Sequence, residues 1–244
     1  MGNMAIPMLN ERKVNTAFAI VAIVLSVVAG LAGIVGTAHM LEGMVEGFFS
    51  DYEFGYGQMF GGMVAAIFAG IFGILAAVFT LIVLNQWSSA LTDNIQNTKT
   101  LLTYLKQKGD SEKQTNLVVL EGHLSGLQLY TWAYWVYLIF YVLALFTGVA
   151  SFVFSILAII FLAVYLQSVF TVSKRLEEIK NIMYPLLGVE TPMLTYIKSR
   201  NIGVFILLVI VTLGIYWWYL LIKLSSEINQ YIDADQRLRQ VINV

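Results

Sequence analysis

The feature that most constrains this chain is a series of four long apolar runs that contain no Asp, Glu, Lys or Arg. They cover residues 14–40, 59–84, 129–146 and 152–172. A helix of about 20 apolar residues crosses the hydrocarbon core of a bilayer and satisfies its backbone polar groups internally. In the whole chain 59% of the residues are hydrophobic and 12% are charged, whereas soluble domains have about 45–50% and about 25%. The runs therefore predict four membrane spans and exclude a water-soluble globular enzyme.

The basic residues divide the connecting segments into two kinds. Lys and Arg occur before the first run, between the second and third runs, and after the fourth, but none occurs at 41–58 or 147–151. Cytoplasmic segments of membrane proteins are enriched in Lys and Arg. The pattern thus predicts a multi-pass protein of the inner or plasma membrane with a cytoplasmic N-terminus. The short link at 147–151 also predicts that the third and fourth spans form an antiparallel hairpin.

A last apolar run, residues 204–224, allows two interpretations. As a fifth span it would place Lys223, Arg237 and Arg239 outside the cell. As a hairpin broken at Gly214 it would keep all 14 basic residues cytoplasmic. We favour the hairpin for this reason, and the fifth span is the alternative.

The predicted fold is an all-α polytopic transmembrane helix bundle with four full spans, a C-terminal helical hairpin and cytoplasmic amphipathic extensions. The first helix of the hairpin should begin with Thr191 as its N-cap and Pro192 as its first residue, since these residue types favour those positions. Four segments follow from these boundaries. Residues 1–86 form an N-terminal membrane hairpin with an acidic outer loop, and residues 87–128 form cytoplasmic amphipathic helices with a linker at 106–116. Residues 129–190 form a second membrane hairpin and a cytoplasmic helix, and residues 191–244 form a C-terminal membrane hairpin with an amphipathic tail helix.

Polar stretches that follow the membrane segments carry apolar residues at helical spacing. Leu91 and Ile95 form such a stripe after the second run, and Ile228 and Ile232 form one near the C-terminus. A third stripe follows the fourth run and consists of Leu176, Ile179, Ile182, Met183 and Leu186. An apolar face must be buried against something. Mutual packing of these helices is the simplest interpretation, and the headgroup layer or another subunit are the alternatives.

Small residues recur every four positions along the second run, in two stripes. One consists of Gly62, Ala66 and Gly70, and the other of Ala69, Gly73 and Ala77. Small residues let helix backbones approach closely, and this close packing holds membrane helices together. The stripes therefore predict interface positions. Packing between the first two spans is the simpler interpretation, and a seam between copies of the chain is the alternative.

One group of residues has the spacing of a metal site. His39, Glu42 and Glu46 share a face if the first helix continues beyond its apolar run. Imidazole and carboxylate ligands suit zinc, iron or manganese, and Asp51 or Glu53 would supply a further ligand. The alternative interpretation is an acidic rim that is exposed to water outside the membrane.

The remaining chemistry points away from an enzyme. The chain has no cysteine, which excludes disulfides, thiolate metal sites and cysteine nucleophiles. Its spans lack the charges that proton relays and ion-coupled transporters place in the membrane. The net charge of -1 does not steer it toward nucleic acid. We expect no cofactor.

These observations together predict a structural or accessory subunit in the lipid bilayer. Such a subunit would oligomerise, or dock a membrane-complex partner, through its small-residue seams and cytoplasmic helices. Two alternatives stay open. One is a channel or facilitator formed by oligomerisation, and the other is an accessory subunit of a membrane metalloenzyme.

The C-terminal segment carries an aromatic pattern that runs from Thr212 through Gly214, Ile215 and Tyr216 to Tyr219. An amphipathic stretch follows it and includes Glu227-Ile228-Asn229. This pattern resembles a prokaryotic family of small multi-pass membrane proteins with a T-x-G-I-Y-x-x-Y/W core. That family has no assigned function, so the resemblance implies a membrane location and no specific activity.

Overall fold

In a computed structural model of the chain, the described residues are 11–49, 53–108, 111–186, 188–189 and 197–242. They form seven α-helices and one short 3-10 helix, and no strand occurs among them, so the all-α prediction is confirmed. The α-helices are α1 (Thr16–Phe49), α2 (Glu53–Lys108), α3 (Ser111–Ser125), α4 (Thr131–Phe146), α5 (Ser151–Leu186), α6 (Ile202–Val211) and α7 (Ile215–Ile242).

Three of these helices are long and apolar enough to cross a membrane. They contain most of the first apolar run and all of the second and fourth, at Thr16–Phe48, Gly57–Gln107 and Ser151–Leu186. Helix α4, which contains most of the third run, has 16 residues and is about 24 Å long, whereas the hydrocarbon core is about 30 Å thick. The structure thus supports a membrane protein, and the fourth full span stays a prediction.

Helices α2 and α5 continue beyond their apolar runs without a break. Helix α2 has 56 residues and α5 has 36. Neither residues 85–108 nor residues 173–184 contain Gly or Pro, the residues that most disfavour a helix interior. The predicted helical extensions are therefore present as parts of the same helices.

The acidic segment at 41–58 was predicted as a loop, and this was wrong. Helix α1 continues to Phe49 and α2 begins at Glu53, so most of the segment is helical. The apolar residues Leu41, Met44 and Val45 occur within it, and they outweigh the weakening effect of its glycines. The predicted linker at 106–116 is likewise mostly helical, since α2 ends at Lys108 and α3 begins at Ser111.

The C-terminal apolar run is broken between α6 and α7, as the hairpin interpretation requires. Leu213 and Gly214 have positive φ values of 51° and 92°. The Gly214 N–H donates to the Val209 carbonyl at 2.8 Å, and the Tyr216 N–H donates to the Thr212 hydroxyl at 3.0 Å. All backbone N–H groups from 212 to 216 are bonded within the hairpin, a requirement for backbone that turns inside an apolar environment.

The predicted start of this hairpin was wrong. Helix α6 begins at Ile202, and its N-cap is Asn201, whose side chain accepts a hydrogen bond from the Val204 N–H. Residues 197–201 are not helical, so no continuous helix leads from Thr191 to the turn. Thr191 and Pro192 themselves lie outside the described residues.

The chain divides into two compact units. The apolar unit comprises Ala17–Ile82 and Trp135–Ile159, and the polar unit comprises Met1–Thr16, Val83–Tyr134 and Ile160–Val244. All 14 Lys and Arg residues belong to the polar unit. This division matches the separation of basic residues that the sequence shows along the chain.

Candidate functional site

The polar unit contains a group of charged and polar side chains that are shielded from solvent. They come from the N-terminal segment and from α2, α5 and α7. We call this group the ion network; it consists of Glu11, Asn94, Asn97, Lys180, Tyr184, Tyr231, Asp235 and Arg239. A buried charge costs several kcal/mol unless a partner compensates it. The contacts within the network therefore determine what it can do.

Lys180 connects three helices of the network and is 0% exposed. Its Nζ donates to Asn94 Oδ1 at 2.7 Å and lies 2.8 Å from Asp235 Oδ1. The same ammonium group lies 4.7 Å from the centroid of the Tyr231 ring, within the range of a cation–π interaction. One lysine on α5 thus bonds to α2 and α7 at once.

Asp235 is the acidic partner shared by most of the network. It accepts hydrogen bonds from Tyr184 Oη at 2.6 Å and from Asn94 Nδ2 at 3.1 Å, and it pairs with Arg239 one turn later on α7. Burial by itself would raise the pKa of the Asp235 carboxyl, but the charges of Lys180 and Arg239 outweigh it and lower the pKa to about 2. The carboxylate is therefore ionised at neutral pH.

Glu11 closes the network from the N-terminal segment. Its Oε1 accepts hydrogen bonds from the side-chain amides of Asn94 and Asn97, each at 2.9 Å, and it pairs with Arg239. The two acids, Glu11 and Asp235, and the two bases, Lys180 and Arg239, thus neutralise one another. Glu11 Oε2 and Arg239 Nε are buried without a hydrogen-bond partner among the residues that the structure describes.

Residues 11–15 bind along α2 and α7 through a series of specific contacts. The Val14 N–H donates to Asn229 Oδ1, and Asn229 Nδ2 donates back to the Val14 carbonyl, both at 2.8 Å. Arg12 donates two hydrogen bonds to the Asp93 carboxylate, from Nε to Oδ2 at 2.7 Å and from Nη2 to Oδ1 at 2.8 Å. The N-terminal segment is therefore an integral part of the polar unit.

A second, partly buried ion pair holds the C-terminal hairpin closed. Arg200, just before α6, donates to both carboxylate oxygens of Glu227 on α7, at 2.7 and 3.0 Å. The Lys198 N–H also donates to Glu227, at 3.3 Å. These contacts join positions on opposite arms of the hairpin, so the two arms run antiparallel.

Aromatic side chains that carry polar groups also connect α2, α5 and α7, close to the end of the second apolar run. Trp87 Nε1 donates to Ser225 Oγ at 2.8 Å, and its ring meets Trp217 edge to face, with centroids 6.3 Å apart. Ser88 and Tyr165 share a hydrogen bond of 2.7 Å between their hydroxyls. These contacts fix α2 against α5 and α7.

The ion network can hold four segments in one register: the N-terminal segment, α2, α5 and α7. Each charged group of the ion network has a partner on another segment, so a shift of one helix by a turn would leave a buried charge uncompensated. Apart from Glu11 Oε2 and Arg239 Nε, the buried polar side-chain atoms of the network have hydrogen-bond partners among the described residues, and such partners favour one packing arrangement. The ion network is therefore a device for fixing the polar unit in a single conformation.

The residues of the predicted metal site occupy the end of α1. His39 Nδ1 lies 2.9 Å from Gln58 Oε1 and 3.5 Å from Glu42 Oε2. Within the part of the chain that the structure describes, no three His, Asp or Glu side chains come close enough together to hold a metal ion, so Glu46 completes no such group. Asp51 and the side chain of Glu53 lie outside that part. The metal site stays a prediction, which elemental analysis of the purified protein would test.

The first small-residue stripe meets α1 inside the apolar unit. A Cβ atom placed on Gly62 would lie 2.9 Å from the Gly36 carbonyl oxygen and 2.6 Å from Met40 Cγ. A Cβ placed on Gly36 would lie 3.2 Å from the Ala66 nitrogen. A Cβ placed at position 33 would lie 3.9 Å from the Cβ of Ala69, a residue of the second stripe. These predicted interface residues pack within the chain.

Two other predicted interface residues face α4 in the same unit. A Cβ on Gly73 would lie 3.1 Å from a methyl carbon of Leu145, and one on Gly70 would lie 3.7 Å from the Phe146 ring. Close approach within the chain thus involves members of both stripes, toward α1 and toward α4. A seam between copies of the chain stays a prediction.

The apolar stripes of the polar extensions are buried within the polar unit. Leu91, Ile95, Ile228 and Ile232 all belong to its core. The third stripe is narrower than predicted, because Ile182 is 51% exposed. Its buried members are Leu176, Ile179 and Met183. They lie on the same buried face of α5 as the ion-network residues Lys180 and Tyr184.

The ion network was not predicted from the sequence, although the sequence contains a signal for it. Lys180 lies four residues after Leu176 and three before Met183, on the apolar face of its helix. Asp235 lies three residues after Ile232, on the apolar face of α7. Charged residues are almost never fully buried unless they are paired. A charge at such a position therefore indicates a buried ion pair, but the spacing does not identify the partner.

Comparison with known proteins gives one match, in the C-terminal segment. Residues 200–242 match a family described as domain of unknown function DUF4234. The match confirms that a family of unknown function resembles this segment, which contains α6, α7 and the residues Arg200, Glu227, Asp235 and Arg239. No curated protein and no solved structure matches the chain.

Proposed function

We propose that this chain is a non-enzymatic integral membrane protein, a structural or accessory subunit that docks partners through its polar unit. The observation that supports this proposal is the mutual neutralisation of Glu11, Lys180, Asp235 and Arg239. These charges hold the N-terminal segment and three helices together. They provide a rigid surface of the kind that a docking subunit needs, since a preorganised surface lowers the entropic cost of binding.

We further propose that the connecting segments of the polar unit lie in the cytoplasm and that α4 also crosses the membrane. The location of all 14 basic residues in the polar unit supports this topology. Four crossings return the chain to the side on which it began. A C-terminal hairpin that does not cross keeps Arg237 and Arg239 on that side as well.

Cysteine labelling tests this topology without background, because the chain has no cysteine. We expect Gln107→Cys, Arg175→Cys and Arg237→Cys to react with a membrane-impermeant maleimide only after the cells are lysed. Glu42→Cys should react in intact cells, with the outer membrane permeabilised where there is one. Labelling of Gln107→Cys and Arg175→Cys from opposite faces would contradict the proposed topology. Labelling of Arg237→Cys in intact cells would contradict the hairpin and support a fifth span.

The docking role predicts a stable assembly. We expect the protein, purified from its native membrane in a mild maltoside detergent, to have a mass well above that of one 27.3 kDa chain after correction for detergent. A variant that loosens the ion network, Asp235→Asn, should lose this assembly, whereas Asp233→Asn should keep it. Multi-angle light scattering and mass spectrometry of the purified material measure both. A monomer without a bound partner would contradict the docking role.

A channel or facilitator formed by several copies is a second candidate function. The observation that favours it is the exposure of α1: within its apolar 18-residue stretch, only 11% of the residues are buried within the chain. Such a face is available to a second copy as well as to lipid. This candidate predicts flux of ions or small solutes into liposomes that contain the protein, whereas a docking subunit gives no flux.

A further inference from the structure

A small open cavity of about 260 Å³ lies in the polar unit, apart from the ion network. Its lining combines cations with amides and a hydroxyl: Arg12, Lys13, Asn85, Gln86 and Ser89. Every one of these side chains carries N–H or O–H donors, and none of them is acidic. We call this cavity the basic pocket.

The two cations of the basic pocket are held in place by acids outside its lining. Arg12 Nε and Nη2 donate to Asp93, while the Arg12 side chain stays 68% exposed. Lys13 Nζ lies beside Asp233 Oδ1, and the Lys13 side chain stays 51% exposed. A guanidinium has five N–H donors and an ammonium has three. Both cations therefore keep donors for a ligand, although the two acids offset their charge.

The basic pocket is lined by residues that lie next to the ends of two apolar runs. Lys13 directly precedes the first apolar run, and Asn85 directly follows the last residue of the second, Leu84. Residues at the ends of membrane spans lie at the level of the lipid headgroups. In the proposed topology, the basic pocket therefore lies at the depth where a bilayer presents phosphate groups.

We propose that the basic pocket binds a phosphate group, and that a phospholipid headgroup supplies it. Arginine matches phosphate geometry with two parallel hydrogen bonds, and lysine adds a point charge. Amide and hydroxyl donors from α2 complete the set of donors around one phosphate. Basic pockets between membrane helices bind anionic headgroups in the same way. This proposal needs a membrane protein but does not depend on the docking role.

The test uses the purified full-length protein in maltoside and short-chain ligands. Dihexanoyl phosphatidic acid is the lipid probe, and dihexanoyl glycerol is its counterpart without phosphate. Glycerol 3-phosphate and inorganic phosphate probe the free anion. We expect saturable binding of the phosphatidic acid, measured by calorimetry, and weaker binding of the other three ligands.

The double variant Arg12→Gln/Lys13→Gln should weaken phosphatidic acid binding about thirtyfold. Ser89→Glu is a second test that stands even if the double variant fails to fold. It places an acid in the pocket without removing either ion pair, so it should also weaken phosphatidic acid binding. The matched control is Arg175→Gln, an exposed cation that follows the end of the fourth apolar run at Val172. It should leave the affinity within about twofold.

Three results would overturn the proposal. Equal losses of affinity in the control and in the pocket variants would show that the lipid is held by general surface charge. Equal binding of dihexanoyl glycerol would show that the phosphate is not recognised. Glycerol 3-phosphate binding as tightly as phosphatidic acid would replace the lipid by a free phosphate ester as the ligand.

Discussion

Replacement of Asp235 by Asn is expected to lower the free energy of unfolding by about 3–5 kcal/mol, because it breaks a buried ion pair by removing one partner. Lys180 and Arg239 would remain buried with only Glu11 to compensate them. The remaining amide keeps the shape of the carboxylate but not its charge. Denaturant unfolding in maltoside, followed by the helical circular dichroism signal, measures the loss.

The matched control is the same substitution two residues earlier. Asp233 pairs with Lys13, but its side chain is 40% exposed. An exposed pair contributes about 0–1 kcal/mol, so Asp233→Asn should cost less than about 1 kcal/mol. Equal losses in both variants would contradict the role of the ion network.

The lowered pKa of Asp235 predicts how this effect depends on pH. The carboxylate stabilises the folded state fully above the ordinary aspartate pKa of about 3.9. Its contribution is lost as the pH falls through its folded-state pKa of about 2. The difference in stability between the wild type and Asp235→Asn should therefore be complete at pH 7 and decrease steadily below pH 4. A difference that stays constant down to pH 2 would show that the charge is not responsible.

Replacement of Gly62 by Ala is expected to destabilise the apolar unit by about 1–3 kcal/mol, the usual cost of overpacking. The new methyl group would lie 2.9 Å from the Gly36 carbonyl oxygen and 3.0 Å from the Met40 nitrogen. Both are backbone atoms of α1, so α1 and α2 would have to separate. Thermal unfolding in the same detergent measures this change.

The neighbouring glycine provides a control with the same chemistry. A Cβ atom on Gly61 meets nothing within 4 Å. Alanine is also a better helix former than glycine, so Gly61→Ala should leave the stability unchanged or raise it slightly. If Gly61→Ala and Gly62→Ala had the same effect, close packing of α1 on α2 at Gly62 would be disproved.

Much of the fold follows from local rules that act on each segment alone. The apolar runs and the unbroken extensions of α2 and α5 depend on residues within one helix. The break at Gly214 was inferred from the distribution of basic residues, and the structure realises it with local hydrogen bonds to Thr212 and Val209. The start of α6 was predicted wrongly because Asn201, and not Thr191, provides its N-cap: the Asn201 side chain accepts a hydrogen bond from the Val204 N–H.

The candidate sites depended on information that a linear pattern does not contain. Glu11 and Arg239 meet although they are 228 residues apart. Their meeting requires that four segments first pack in one register, and many other pairings have the same charge balance. The basic pocket likewise needs Arg12 and Lys13 beside Gln86 and Ser89, which only the folded N-terminal segment brings together.

The amino-acid sequence alone determined three segments that are helical and apolar enough to cross lipid, because hydrocarbon imposes the same demand on every residue it surrounds. It also determined that the cations belong together, since the cost of carrying charge through a bilayer acts on each segment independently. Only the tertiary structure decided which charge neutralises which and which glycine meets which helix. Those choices depend on distances of a few ångströms between residues that are far apart in the chain, and no periodicity within one helix encodes them.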